Sequence, residues 1–176
     1  LSEFTADENG DVGFIVSSHM GIPKLYKIAD GQIHYGLDMY WIGKRLGPTR
    51  LYGAYAWQSL LQTGVVIPNG SDFPVEQVNP LISFHAAIAR QDARDWPAGG
   101  WFPEQKMSRE EALRSMTIWP AYAGFQETSM GSITAGKFAD FVILDTDIMR
   151  VPSEMVMKAK VVSTWVGGRA VFEAAK

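Results

Sequence analysis

Apolar positions along the chain fall into short runs, and their spacing alternates between helical and strand-like. The first dozen residues are polar, with Asp7-Glu8-Asn9-Gly10-Asp11 at their centre, and read as a loose end or turn. Phe14-Ile15-Val16 is a short apolar run of the kind found in buried strands. Residues 22–29 suggest a short helix, with Pro23 in its first turn and Gly31 just past its end. Residues 35–47 read as loop, rich in glycine and carrying Tyr40 and Trp41.

Beyond this the signals sharpen. Pro48 suits a first helical turn, and Ala54, Trp57 and Leu61 recur at i, i+3 and i+7 before Gly64 supplies a stop. Val65-Val66-Ile67 follows as a wholly apolar strand, the pattern of a strand buried on both faces. Asn79 is a good N-cap and Pro80 a good first residue for a helix running to about Arg90. After a Gly, Pro and Trp-rich loop over 92–107, Ser108-Arg109-Glu110-Glu111 spells a capping box. Leu113, Met116 and Thr117 are expected to form that helix's inner face. Pro120 is expected to interrupt it, with a second short helix over 121–125.

The end of the chain changes character. Phe141-Val142-Ile143-Leu144 predicts a short buried strand, and residues 160–166 are rich in β-branched side chains. Gly167-Gly168 then joins them to residues 169–173 as a two-residue hairpin. Helix, strand, helix and helix followed by a strand-rich tail predict an α/β fold: parallel strand-helix units first, then a mostly antiparallel layer.

Composition narrows the function. The chain has 176 residues, 47% of them apolar and 20% charged, enough for one domain with a real core. Sixteen Lys and Arg against nineteen Asp and Glu leave a net charge of −3. No basic block exists, so nucleic acid is not an expected partner. No apolar run reaches the roughly 18 residues of a membrane helix. There is no Cys, which removes disulfides, thiolate nucleophiles and Cys-ligated zinc. The opening residues do not resemble a signal peptide, and a cytoplasmic location is expected.

The most informative place for chemistry is Gly70-Ser71-Asp72-Phe73-Pro74, directly after the 65–67 strand. In α/β folds, ligands gather just past the carboxyl ends of strands. Asp72 can there ligate a metal or shuttle a proton. It can equally cap a turn, which Asp often does. Trp96, Trp101 and Phe102 can line a substrate mouth, or simply pack a long loop. His34 serves equally well as substrate contact or structural polarity. His85, mid-helix beside Phe84, reads as a packed or surface histidine.

Several pieces stand in one order: the run from Arg50 to Glu76 with Asn79-Pro80-Leu81, then Gly99-Gly100-Trp101-Phe102-Pro103-Glu104-Gln105. Ser108-Arg109-Glu110-Glu111-Ala112-Leu113 follows, and then the tail from Gly131 to Asp145. Together they resemble the C-terminal part of the metal-dependent amidohydrolase superfamily, in the branch that includes N-substituted formamide deformylases. The resemblance implies the C-terminal portion of a (β/α)8 barrel plus a small β-rich tail belonging to a β-sandwich. It divides the chain into a divergent stretch 1–33, a partial barrel 34–128 and sandwich strands 129–176. It implies that Asp72 ligates a divalent metal, most commonly zinc, and acts as acid/base on the hydrolytic water. It places His34 at the substrate, and Trp101, from its aromatic loop, is taken as a second substrate contact.

The departures matter too. The family takes most metal ligands from earlier strands, beginning with a His-x-His pair, and this chain has only His19, His34 and His85. Where the family's sixth strand carries Glu-His-Ala, this chain has Ser17-Ser18-His19, with the histidine displaced by two positions. A complete barrel takes about 250 residues, so an incomplete barrel is expected. The expected function is hydrolysis of a non-peptide C–N bond (amide, formamide or cyclic amide) in a small-molecule substrate, with segments missing from this chain. The alternative is an inactive remnant or split half that self-associates.

Overall fold

The computed structural model describes residues 24–29, 32–70 and 77–175. The predicted end at 1–12, the strand at 14–16 and His19 lie outside the described residues.

The first described element corrects the helix expected over 22–29. Strand β1 (Lys24–Ala29) pairs antiparallel with β2 (Gln32–Leu37), with Lys27 opposite His34. Asp30-Gly31 is a hairpin dipeptide, and it outweighs the helix-start signal of Pro23. His34 therefore sits mid-strand, not at a strand end. The expected loop over 35–47 is likewise largely structured: a 3-10 turn at Asp38–Tyr40 leads into helix α1 (Ile42–Leu51).

Helix α1 holds a break at Gly47 (φ 72°, ψ 167°), so Pro48 does open a helical segment. The single helix expected from Pro48 to about Gly64 is two, because α1 ends and α2 (Trp57–Leu61) restarts. Between them Tyr55 has φ 55°, a left-handed conformation that no helix accommodates. Residues 65–67 continue as extended chain with no strand partner among the described residues. Ile67 is buried while Val65 and Val66 are exposed, which corrects burial on both faces.

Helix α3 (Pro80–Ala89) is the centre of the molecule, and its ends match expectation. Asn79 caps it by accepting the Leu81 N–H at 3.0 Å, and Pro80 occupies the first turn. Leu81, Phe84, Ala86, Ala87 and Ala89 are all buried. Burying Leu81 and Phe84 stabilises the fold by roughly 1.5–3 kcal/mol each. The small side chain of Ala87 lets neighbouring elements approach, and the core gathers Trp57, Ile67, Met107, Ala112 and Val156 around it.

Helix α4 (Arg109–Met116) starts at the predicted capping box. The Ser108 hydroxyl accepts the Glu111 N–H at 3.2 Å and the Glu111 carboxylate accepts the Ser108 N–H at 2.7 Å. Its buried face is Ala112 and Ser115, with Met116 packed against the core as expected and Leu113 and Thr117 exposed, so the predicted inner face is partly rotated. Small residues win there because α4 lies close to the 65–70 segment: Asn69 N–H donates to the Ser115 carbonyl at 2.7 Å. The break before α5 (Ile118–Ala123) falls at Thr117 (φ −128°, ψ −87°), not at Pro120, which is tolerated in a first turn.

The tail is a three-stranded antiparallel sheet in the order β3-β4-β5, built from Phe141–Leu144, Val161–Val166 and Arg169–Glu173. The Gly167-Gly168 turn is as predicted, both with positive φ. β3 is less buried than expected: Val142 and Ile143 are exposed. Helix α6 (Ser153–Val156) joins β3 to β4 and drives Val156 into the core against α3. The Arg109 guanidinium donates to the Ile148 and Val151 carbonyls, tying α4 to this connection. No helix among the described residues is long and apolar enough to cross a membrane.

Candidate functional site

The approach to Asp72 is fixed from behind. Ile67 is fully buried in the core, and Asn69 is buried two residues on, held by its N–H to Ser115. Among the described residues both polar atoms of the Asn69 carboxamide lack a hydrogen-bond partner. Burying such atoms unpaired costs about 1–3 kcal/mol. Asp72 itself, with the rest of 71–76, lies outside the described residues.

A second polar and aromatic centre forms where α3 ends. Arg90 caps the helix in the left-handed region (φ 57°, ψ 39°), a conformation most often taken by Gly. Its side chain is buried and runs beneath the 91–107 loop. The Nε donates to the Trp101 carbonyl at 3.0 Å, while the Trp101 N–H donates to the Arg90 carbonyl at 2.8 Å. The guanidinium carbon lies 5.1 Å from the Trp101 ring centroid. Burial lowers the Arg90 pKa to about 10, opposed by the nearby Glu104 carboxylate, so the group stays cationic at neutral pH. Nη2 is buried without a partner among the described residues. Tyr55 meets Trp101 edge-on at 5.6 Å, and Phe102 does so at 4.7 Å.

The same loop is organised at its other end by Asp92. Its Oδ1 accepts the N–H groups of Arg94 (2.8 Å) and Trp96 (3.0 Å), and its Oδ2 accepts the Tyr40 hydroxyl (2.8 Å). Burial pushes this carboxyl's pKa up, but the Trp96, Tyr40 and Arg94 donors together outweigh burial and hold it below the ordinary value. Tyr40 in turn stacks on Trp96 with centroids 5.1 Å apart. His85 is fully buried, with Nε2 3.2 Å from Asp95 Oδ1. Desolvation lowers its pKa despite the opposing pull of Asp95, so it is neutral at pH 7. The packed reading of His85 holds.

Of the residues singled out in the sequence, Trp101 is placed in this loop, half-buried, and His34 on β2. Asp72 and the side chain of His34 lie outside what the structure describes, so Trp101 is the one of the three whose surroundings are seen. Among the described residues no three His, Asp or Glu side chains gather to hold a metal ion. A complete metal site is therefore not present in them. Sequence reasoning missed Asn69, Arg90 and Asp92. Asn69 had a weak signal, a polar residue at the end of an apolar strand, and Arg90 another, a charge where a helix needs its cap.

These elements can be set beside known proteins. The family model for the amidohydrolase family matches residues 22–172, most of the chain. The Arabidopsis thaliana protein LONG AFTER FAR-RED 3 is 38% identical over 132 residues, covering 74% of this chain and 22% of its own. The N-substituted formamide deformylase of Arthrobacter pascens is 32% identical over 116 residues, covering 66% of this chain and 21% of its own. A solved amidohydrolase from Thermotoga maritima superposes with a TM-score of 0.51 at 24% identity. It covers 68% of this chain and 26% of that one, and shows a shared fold. The chain belongs to the amidohydrolase family. It spans about a fifth of the length of the curated relatives it matches.

Proposed function

We propose that this chain is part of a hydrolase that cleaves a C–N bond outside peptides, in an amide, formamide or cyclic amide. The observation that carries the reading is the family match over residues 22–172, a span that includes Gly70-Ser71-Asp72-Phe73-Pro74 and the 91–107 loop. A relative named for formamide deformylation supports an amide-type substrate. In this reading residues 34–128 are the last part of a (β/α)8 barrel and residues 129–176 belong to a β-sandwich. The antiparallel β3-β4-β5 sheet supports the second assignment.

Asp72 stands past the end of the 65–67 segment. It takes the proton of the attacking water and delivers it to the leaving nitrogen. A divalent metal, zinc by preference, supplies when bound a water acidified toward a pKa of ~7. Catalytic zinc uses about three protein ligands. The described residues do not gather them, so ligands other than Asp72 come from elsewhere in the working polypeptide. His34 and Trp101 contact the small-molecule substrate, and the protein acts in the cytoplasm.

The test is hydrolysis by the complete natural polypeptide of acetamide and formanilide, read as ammonia or aniline release, and of a lactam, read as the ring-opened amino acid by mass spectrometry, before and after chelation. Hydrolysis of at least one, lost on chelation and restored by zinc, is expected. Hydrolysis of none, or hydrolysis undiminished by chelation, contradicts the reading.

A further inference from the structure

We infer that Arg90 is a positioning residue that sets Trp101 as the wall recognising an uncharged aryl or large apolar group of the substrate. The inference rests on the reading of Trp101 as a substrate contact and goes beyond it by naming the group recognised and the residue that arranges it.

Arg90 holds Trp101 at three points. Its carbonyl accepts the Trp101 N–H, its Nε donates to the Trp101 carbonyl, and its guanidinium lies 5.1 Å from the indole centroid. The loop is pressed onto it: a Cβ on Gly100 would lie 2.4 Å from the Ala89 carbonyl oxygen and 3.2 Å from Arg90 Cβ. Capping a helix does not call for this arrangement. A glycine would take the left-handed conformation without strain and without burying a cation whose Nη2 has no partner among the described residues. A guanidinium, by contrast, gives a flat, rigid support to an aromatic face.

Strain gathers at the same place. Among the described residues the non-glycine positions with positive φ are Tyr55, Arg90, Asp95, Phe102 and Phe125. All but Phe125 lie in the 90–107 stretch or against it, and backbone strain of this kind concentrates where function fixes geometry. Trp101 and Phe102 are not part of the buried core and remain half-buried. The ligand class follows from charge. With a guanidinium at the indole, a cationic ligand is repelled, while a neutral ring packs edge-on or offset against Trp101, Tyr55 and Phe102.

The experiment measures dissociation constants of benzamide, acetamide and benzamidinium by ligand-observed NMR titration of the complete natural polypeptide. Benzamide is expected to bind about tenfold more tightly than acetamide and than benzamidinium. That preference should disappear in Trp101→Leu, in Arg90→Met and in Arg90→Lys, with folding of each checked by circular dichroism. Arg90→Lys keeps charge and solubility but cannot reproduce the Nε bond or the flat face. No preference in the native protein overturns the substrate class. Preference lost in Trp101→Leu but kept in both Arg90 variants overturns the role of Arg90 and leaves Trp101 as a substrate contact. Preference lost in Arg90→Met yet complete in Arg90→Lys shows that charge alone acts, which also overturns positioning. The titrations use chelator-treated polypeptide, in which the amides bind without being turned over, so a failure of the hydrolase reading leaves this result independent.

Discussion

Replacing Asp92 by Ala should loosen the 91–96 turn without touching the core. The carboxylate accepts two backbone N–H groups and one hydroxyl at 2.8–3.0 Å, and a longer contact at 3.4 Å from the exposed Arg94 guanidinium. A hydrogen bond to a charged group contributes roughly 1.5–3 kcal/mol when its partner stays buried after the loss. Here the released donors reach water: Trp96 is 51% exposed and Tyr40 45%. Each therefore falls to about 1 kcal/mol, the ordinary net value of a hydrogen bond, and the Arg94 contact adds little. The expected loss is about 2–4 kcal/mol in total. Asp92→Asn keeps an oxygen for the two N–H groups and should cost about 1 kcal/mol. Urea unfolding gives the totals, and hydrogen exchange at the Arg94 and Trp96 amides reports whether the change is local. Equal losses for Ala and Asn, or an Ala variant costing under about 1 kcal/mol, would refute the assignment of Asp92 as the hub of this turn.

Other outcomes follow from single features. Ser108→Ala removes half of the capping box and should cost about 1 kcal/mol in unfolding free energy, and Glu111→Ala should add to that loss in the double variant, because its carboxylate still accepts the Ser108 and Gln58 N–H groups. His85 has a folded pKa below its ordinary 6.5. Its contribution to stability is complete above that value and is lost as pH falls from 6.5 through the folded pKa. His85→Gln should flatten that part of the urea-midpoint profile, and an unchanged slope contradicts it. Gly100→Ala is barred twice, by φ 95° and by a Cβ 2.4 Å from the Ala89 oxygen. It should lower the melting temperature far more than Gly136→Ala, whose Cβ meets nothing within 4 Å. The isolated 176-residue chain, with Val142, Ile143, Val171 and Phe172 exposed on its sheet, should self-associate in sedimentation. A monomer at high concentration counts against that.

What could be read from the chain was local chemistry. Asn79-Pro80, Ser108 with Glu111, and Gly167-Gly168 each carry a cap or turn signal complete within four residues, and the structure has each of them. The β1–β2 hairpin was missed because Pro23 and Asp30-Gly31 give opposing signals, and pairing with a second strand decided between them. The break at Tyr55 carries no signal, since tyrosine does not advertise a positive φ. The loop site was least legible. Asp92 is joined to Tyr40 across fifty-two positions and Arg90 to Trp101 across eleven, and no periodicity encodes such pairs. Family resemblance pointed to Asp72, a residue outside the described part of the structure.

The central claim is that Asp72 serves a metal-dependent hydrolysis, and elemental mass spectrometry of the complete natural polypeptide tests it most directly, with native protein and Asp72→Ala purified in parallel. At least one zinc per native chain is expected, with loss of that zinc in Asp72→Ala and amide hydrolysis reduced by roughly 10²–10⁴-fold. Zinc retained at full stoichiometry and hydrolysis unchanged in the variant would contradict it.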